Sequence, residues 1–317
     1  MKRALLVGVD EYDNFNSLLG CVNDVDATEP LLARNEDGSP NFDCQKRTSA
    51  VSRVTRDSLL GDIDALLGPG ADVVLLYFAG HGAGRDNDVV LVTQDGTQAT
   101  SGVALSELLT KVTGSPVREV VVVLDCCFSG AAGGVPQLGI ALSALRGGVS
   151  ILAASRGDQT AAETPEGRGL FSTYLCGALD GGAADVLGKV TLAGLYAYLD
   201  ESFGPWDQRP VFKANVDRLH ELRLCEAAVP LSELRRLPEF FPEPDHDFPL
   251  DPSYEPEAEP KDPDHEAVFA ILQRYRAAKL IEPVDADHMY FAAMENKACR
   301  LMPLGKHYWY MATQKRL

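Results

Sequence analysis

A chain of 317 residues with 45% hydrophobic and 24% charged residues is long enough for one large core and a small second one. Its net charge of −17 argues against nucleic acid or an anionic membrane as a partner, since both require a basic surface. Seven unevenly spaced cysteines make no disulfide framework and no CxxC pair, and six scattered histidines make no zinc pattern, which points to a reducing, cytoplasmic setting.

The chain opens with MKRALLVGVD, whose apolar run of six residues before Asp10 is too short for a signal peptide or a membrane span. It reads as a strand over Arg3–Val9. From Asn23 the spacing of Val25, Leu31 and Leu32 is helical, with Asn23 or Asp24 near the helix start. The turn signal EDGSPN precedes a strand in FDCQKRTSAV. Thr55 then caps a helix that reaches Leu67 and lines up Leu59, Leu60, Ile63 and Leu66. ADVVLLYFAGHG, residues 71–82, has the unbroken apolar run of a strand buried on both faces. A polar loop, a short strand or hairpin in DVVLVTQD and a helix over Val103–Val112 lead to a second such strand, EVVVVLDCCFSG, residues 119–130.

After it come a Gly- and Ala-rich loop over residues 131–148, a strand in GVSILAAS ending at Ser155, and a polar loop. Helices over Leu170–Leu179 and from Thr191 to Phe203 follow, and RPVFKANV suits an edge strand. Alternating strands and helices predict a three-layer α/β domain with a mainly parallel sheet over residues 1–225. Between residues 226 and 263 lie nine of the nineteen prolines, with abundant Asp and Glu, and this reads as an acidic linker. Residues 264–317 read as three helices in a small module with an aromatic cluster, Tyr308, Trp309 and Tyr310, that is partly exposed.

Both buried strands end in chemistry. Gly80–His81–Gly82 closes one, and Asp125–Cys126–Cys127 closes the other. Neighbouring parallel strands would bring an imidazole and a thiol to one sheet edge, the position where open α/β sheets hold ligands. A thiol beside an imidazole is a nucleophile beside its base. The alternative is two inert residues at strand ends, since unreactive cysteine is commonly buried. Asp24 has the parallel alternative of a helix cap, and Asp125 that of a backbone partner.

YFAGHG followed by LDCCFSG resembles the caspase-like peptidases, specifically the metacaspase branch, whose motifs read SGHG and DSCHSG. Ala79, Cys126 and Phe128 depart from those motifs without removing a catalytic group. GCVNDV and ILAASRGDQTAAE…GLFSTYLCGAL extend the resemblance over roughly residues 1–215. His81 precedes Cys127 by 46 positions, close to the caspase spacing of about 50. The resemblance implies a caspase-like α/β fold with a six-stranded sheet and a cysteine endopeptidase. Cys127 would be the nucleophile, His81 its acid–base partner, and the backbone N–H groups of Gly82 and Cys127 the oxyanion hole. Asp24 and Asp125 would line an acidic S1 pocket, so the substrate partner would be a protein or peptide with Arg or Lys at P1.

A family loop that binds calcium is shortened here to GAGRDNDVV, and Asp86 and Asp88 are too few for an ion needing six to eight oxygens. No cofactor is expected. The resemblance suggests a regulated role in cell death or defence. Arg146, followed by two glycines, and Arg235–Arg236 at the start of the linker each set a basic residue in a segment read as mobile, so control by cleavage or displacement is expected there. KLIEPVD and CRLMPLGKHYW resemble winged-helix sequences, yet no basic stripe supports DNA binding. The module suits an interaction with an activating protein, or autoinhibition. The rival reading is an inactive caspase-like scaffold signalling through that module.

Overall fold

The computed structural model describes all residues except 86–87, 130–144, 155–166, 205–209, 217–218 and 260, and only the backbone of residues 85 and 127–129. The described residues divide into two units. The first comprises residues 1–184 and 189–225, and the second comprises residues 185–188 and 226–317.

The first unit contains β1 (Lys2–Gly8), β2 (Phe42–Thr48), β3 (Val73–Arg85), β4 (Asp88–Val92), β5 (Gly102–Ala104), β6 (Glu119–Ser129), β7 (Val149–Ala153), β8 (Lys189–Thr191), β9 (Val211–Asn215) and β10 (Glu221–Leu224). Its helices are α1 (Cys21–Ala33), α2 (Arg56–Leu66), α3 (Leu105–Gly114), α4 (Leu170–Gly177) and α5 (Leu192–Ser202). The main sheet runs β2-β1-β3-β6-β7-β9. The first five strands are parallel, and β9 closes the edge antiparallel. β8 and β10 form a separate antiparallel pair. The six-stranded, mainly parallel expectation therefore holds along this path.

The unbroken apolar runs are buried on both faces because the pleat sends alternate residues into two separate layers. Tyr77, Ala79, Val121 and Val123 join a cluster with residues of α1, α4 and α5. Leu76, Phe78, Val122 and Leu124 join one with residues of α2 and α3. Each of the Val, Leu and Phe side chains contributes about 1.5–3 kcal/mol when fully buried. Thr55 caps α2 as expected: its hydroxyl accepts from the Ser58 N–H at 3.2 Å, and the Ser58 hydroxyl accepts from the Thr55 N–H at 2.9 Å. Thr191 caps α5 by accepting from the Gly194 N–H at 3.2 Å. Asp24 does not cap α1. That role falls to Asp10, whose carboxylate accepts from the N–H groups of Cys21 and Val22 at 2.9 and 3.2 Å.

His81 and Cys127 lie within their strands rather than at the ends. β1 stops opposite Ala79, and from Gly82 to Arg85 the vacated edge of β3 is taken by β4, antiparallel. β6 stays paired on the other side as far as Ala83↔Ser129. Pairing on both edges keeps the glycine-rich stretch extended, although composition alone makes it a loop.

The second unit corrects the linker reading. Val229, Leu234, Leu237, Phe240, Phe241, Leu250 and Tyr254 are buried in one cluster with Phe269, Leu272, Tyr275 and Trp309. Several prolines there occupy first-turn helical positions, where the missing N–H costs nothing, as at Pro238, Pro252 and Pro263. The Trp309 indole N–H donates to the Phe241 carbonyl at 2.5 Å, which ties the segment to the C-terminus. The C-terminal module is mostly helical, as expected, and also carries strands. α6 (Pro263–Ala277), α7 (Met289–Met294) and α8 (Pro303–Thr313) accompany an antiparallel sheet of β11 (Asp247–Pro249), β12 (Ile281–Val284) and β13 (Ala298–Leu301). Of the aromatic cluster, Tyr308 and Trp309 are buried and Tyr310 is exposed. No helix among the described residues is long and apolar enough to cross a membrane.

Candidate active site

The register of β3 and β6 sets Ala79 opposite Asp125, Gly80 opposite Cys126 and His81 opposite Cys127. Paired strands lie about 4.8 Å apart, so the backbones of His81 and Cys127 are immediate neighbours. Cys126 falls on the alternate position and is buried in the layer of Phe78 and Leu124.

The His81 imidazole is held from a segment with no sequence pattern of its own. Its Nε2 lies 2.7 Å from the Asn16 carbonyl oxygen. A carbonyl can only accept, so Nε2 carries a hydrogen, and in the neutral ring Nδ1 is the accepting nitrogen. Tyr12 packs against the ring with centroids 4.8 Å apart. Its hydroxyl donates to the Val9 carbonyl at 3.0 Å and accepts from the His81 backbone N–H at 2.8 Å. Burial pushes the Tyr12 phenol far above its ordinary range, so it stays neutral. A Cβ at Gly80 would come within 2.8 Å of that hydroxyl, so the close approach of Tyr12 requires glycine there.

Asp24 and Asp125 come together around Gly169, just ahead of α4. A Cβ at Gly169 would lie 3.1 Å from Asp24 Oδ2 and 3.5 Å from Asp125 Oδ2. Asp24 is buried, and its two oxygens accept from the Gly169 N–H at 3.1 and 3.2 Å and from the Ser172 hydroxyl. Arg168 Nε lies 3.5 Å from Asp24 Oδ1. Asp125 keeps partial exposure and accepts from the Tyr77 hydroxyl at 3.2 Å. Burial first, and then the Asp24 charge, push the Asp125 carboxyl up to about 7. Burial also raises Asp24, against the opposing effect of Ser172, Gly169 and Arg168.

A sequence model of the Caspase domain matches residues 1–214. The chain belongs to the caspase family. Metacaspase-1 of Plasmodium falciparum is 27% identical over 159 residues, covering 41% of this chain and 24% of that protein, so the chain spans about a quarter of the relative's length. Protein GSU0716 of Geobacter sulfurreducens has a similar fold at 15% identity, with a TM-score of 0.54 over 71% of this chain and 99% of that one. Caspase-1 of Spodoptera frugiperda aligns with a TM-score of 0.49 at 13% identity, over 70% of this chain and 92% of its own.

The remaining expected sites of the caspase domain and of the second unit fare differently. Asp88 is engaged at the start of α3, where its carboxylate accepts from the Ser106 N–H at 3.3 Å and from the Ser106 hydroxyl, and Asp86 lies outside the described residues. Arg146, expected in a mobile loop, donates to the carbonyls of Val112, Gly147 and Val117 at 2.9, 2.8 and 2.7 Å and so closes the C-terminal end of α3. The rest of that loop, from residue 131 to 144, lies outside the described residues. Arg235 and Arg236 sit between buried Leu234 and Leu237 in short helical turns, not in an extended linker. Gly82 is on β3 opposite Phe128. Tyr12, Asn16, Arg168 and Ser172 are the site residues that pattern reading missed. Their only sequence signal is an aromatic, polar loop just past β1 and the residues beside a glycine before α4.

Proposed function

We propose that this caspase domain is a cysteine endopeptidase cleaving after Arg or Lys, with Cys127 as nucleophile and His81 as its acid–base partner. The observation that carries the reading is the register pairing His81 with Cys127, in a chain where Asn16 already occupies Nε2 of the imidazole. Nδ1 would accept the thiol proton of Cys127, and the thiolate would attack the scissile carbonyl. Backbone N–H groups of Gly82 and Cys127 would stabilise the oxyanion. His81 would return the proton to the leaving amine, and water would then hydrolyse the thioester. Asp24 and Asp125, gathered around Gly169, support the preference for a basic P1 side chain. No cofactor is required by this chemistry. The burial of Cys126 supports Cys127 as the reacting thiol. The test is turnover of an Arg-containing peptide by Cys127→Ala and Cys126→Ser: the first should be inactive and the second should retain most of the rate. Comparable rates from wild type and Cys127→Ala would overturn the assignment.

A further inference from the structure

The two carboxylates at Gly169 are not equivalent. Asp24 has both oxygens engaged within the protein and is closed off from solvent, with only 3% of its surface exposed. Asp125 is partly exposed and has a single described hydrogen bond, from Tyr77. Arg168 adds a further asymmetry. Its Nη2 is anchored to the Ser172 carbonyl at 3.3 Å and the Cys176 sulfur at 3.1 Å, which lays the side chain along α4 on the Asp24 side. Its Nε is buried 3.5 Å from Asp24 Oδ1 without a hydrogen-bond partner among the described residues, so its electrostatic partner among them is Asp24.

On this basis, and resting on the reading of a basic P1 preference, we propose that Arg168 is a positioning residue for specificity: it compensates Asp24 inside the protein and leaves Asp125 as the carboxylate that receives the substrate's P1 cation. Two neighbouring carboxylates in one enclosure cannot both ionise cheaply. With Arg168 the set carries one net negative charge, which matches one guanidinium or ammonium group. Asp24 then shapes the pocket, holding Gly169 and Ser172, while Asp125 provides the contact. Among the described residues the ionisable groups facing Asp125 are Asp24 and Cys21 of α1, Tyr77 of β3, and Arg168 ahead of α4. Burial drives Cys21 and Tyr77 far up and keeps both neutral, so among the described residues the charge balance is set by Asp24, Asp125 and Arg168.

The experiment compares kcat/KM for a pair of peptides with Arg or neutral, near-isosteric citrulline at P1. Asp24→Asn leaves the Arg168 cation uncompensated and should lower the Arg-to-citrulline ratio by about tenfold or more, as expected of a like charge beside the P1 cation. The double variant Asp24→Asn/Arg168→Gln removes both charges and should restore the ratio to within about threefold of wild type. If Asp24 itself receives P1, the double variant stays as impaired as Asp24→Asn, and the proposal is wrong. A second measurement does not depend on activity. In the intact protein, carbon-13 titration of the aspartate carboxyls should show the Asp24–Asp125 pair rising by about 1–3 pH units in Arg168→Gln, because losing a cation favours the protonated form, and staying near wild type in Arg168→Lys. An unmoved midpoint in Arg168→Gln refutes the role of Arg168 whatever the substrate proves to be. A wild type that does not discriminate Arg from citrulline removes the basic-P1 reading instead, and the titration still decides the charge pairing.

Discussion

Replacing Asp125 by Asn should make the first unit more stable at pH 8 and leave it nearly unchanged near pH 4. The carboxyl is raised from the usual 3.8 to about 7 in the folded protein by burial and by the charge of Asp24. Below 3.8 both folded and unfolded chains hold the proton, and the group contributes nothing. Between 3.8 and about 7 the unfolded chain releases its proton first, so stability falls as pH rises; above about 7 the whole cost is present. At about 1.4 kcal/mol per pH unit the upper bound is about 4 kcal/mol, and the partial exposure of Asp125 reduces the expected gain to about 2 kcal/mol. Asparagine keeps an oxygen for the Tyr77 hydroxyl, so the substitution removes the charge and little else. For a domain of this size the gain corresponds to a rise in Tm of about 4–8 °C. Paired urea and thermal unfolding of wild type and Asp125→Asn at pH 4 and pH 8, followed on the transition that the substitution moves, reads it directly. An equal effect at both pH values would mean a carboxyl that folding does not shift, and destabilisation that grows with pH an ionised and well-paired one; either is contrary to the reasoning above.

Tyr12→Phe leaves the His81 N–H and the Val9 carbonyl without the hydroxyl they share, at a cost of about 1–3 kcal/mol. Its kcat should fall about tenfold through misplacement of His81, with KM nearly unchanged, which steady-state kinetics on one peptide will show. Arg146→Ala removes three hydrogen bonds at the end of α3 and should destabilise the fold by about 1–3 kcal/mol in urea titrations. In the native protein trypsin should not cut there. A fragment of residues 264–317 should give a collapsed, poorly dispersed NMR spectrum, because Val229, Leu234, Leu237, Phe240 and Phe241 are part of its core.

Much of the first unit is legible in the sequence because each element carries a strong, local signal. Val120 to Leu124 could only be a strand buried on both faces, and Thr55 and Thr191 announce their helices. The juxtaposition of His81 with Cys127 is legible for the same reason, although both lie within β3 and β6 and not at their ends. Where the reading goes wrong, a non-local partner decides. Gly82 to Arg85 is strand because β4 pairs with it, and Tyr12 and Asn16 act only because the chain folds back over His81. Proline and acid content hid the core residues of 226–259, since composition averages over Leu234, Phe240 and Phe241, whereas packing depends on where each one points. Asp24 was found, but its partner Arg168 lies 144 residues away, and no local pattern connects them.

The central claim is a peptidase whose pocket selects positive charge, and it is tested most directly by one pair of fluorogenic peptides identical except for Arg or Asp at P1. Wild type should cleave the Arg peptide at least about a hundredfold faster, since burying like charges in one pocket costs several kcal/mol, and Cys127→Ala should cleave neither. Preference for Asp, or cleavage of the Arg peptide that persists in Cys127→Ala, would contradict the account.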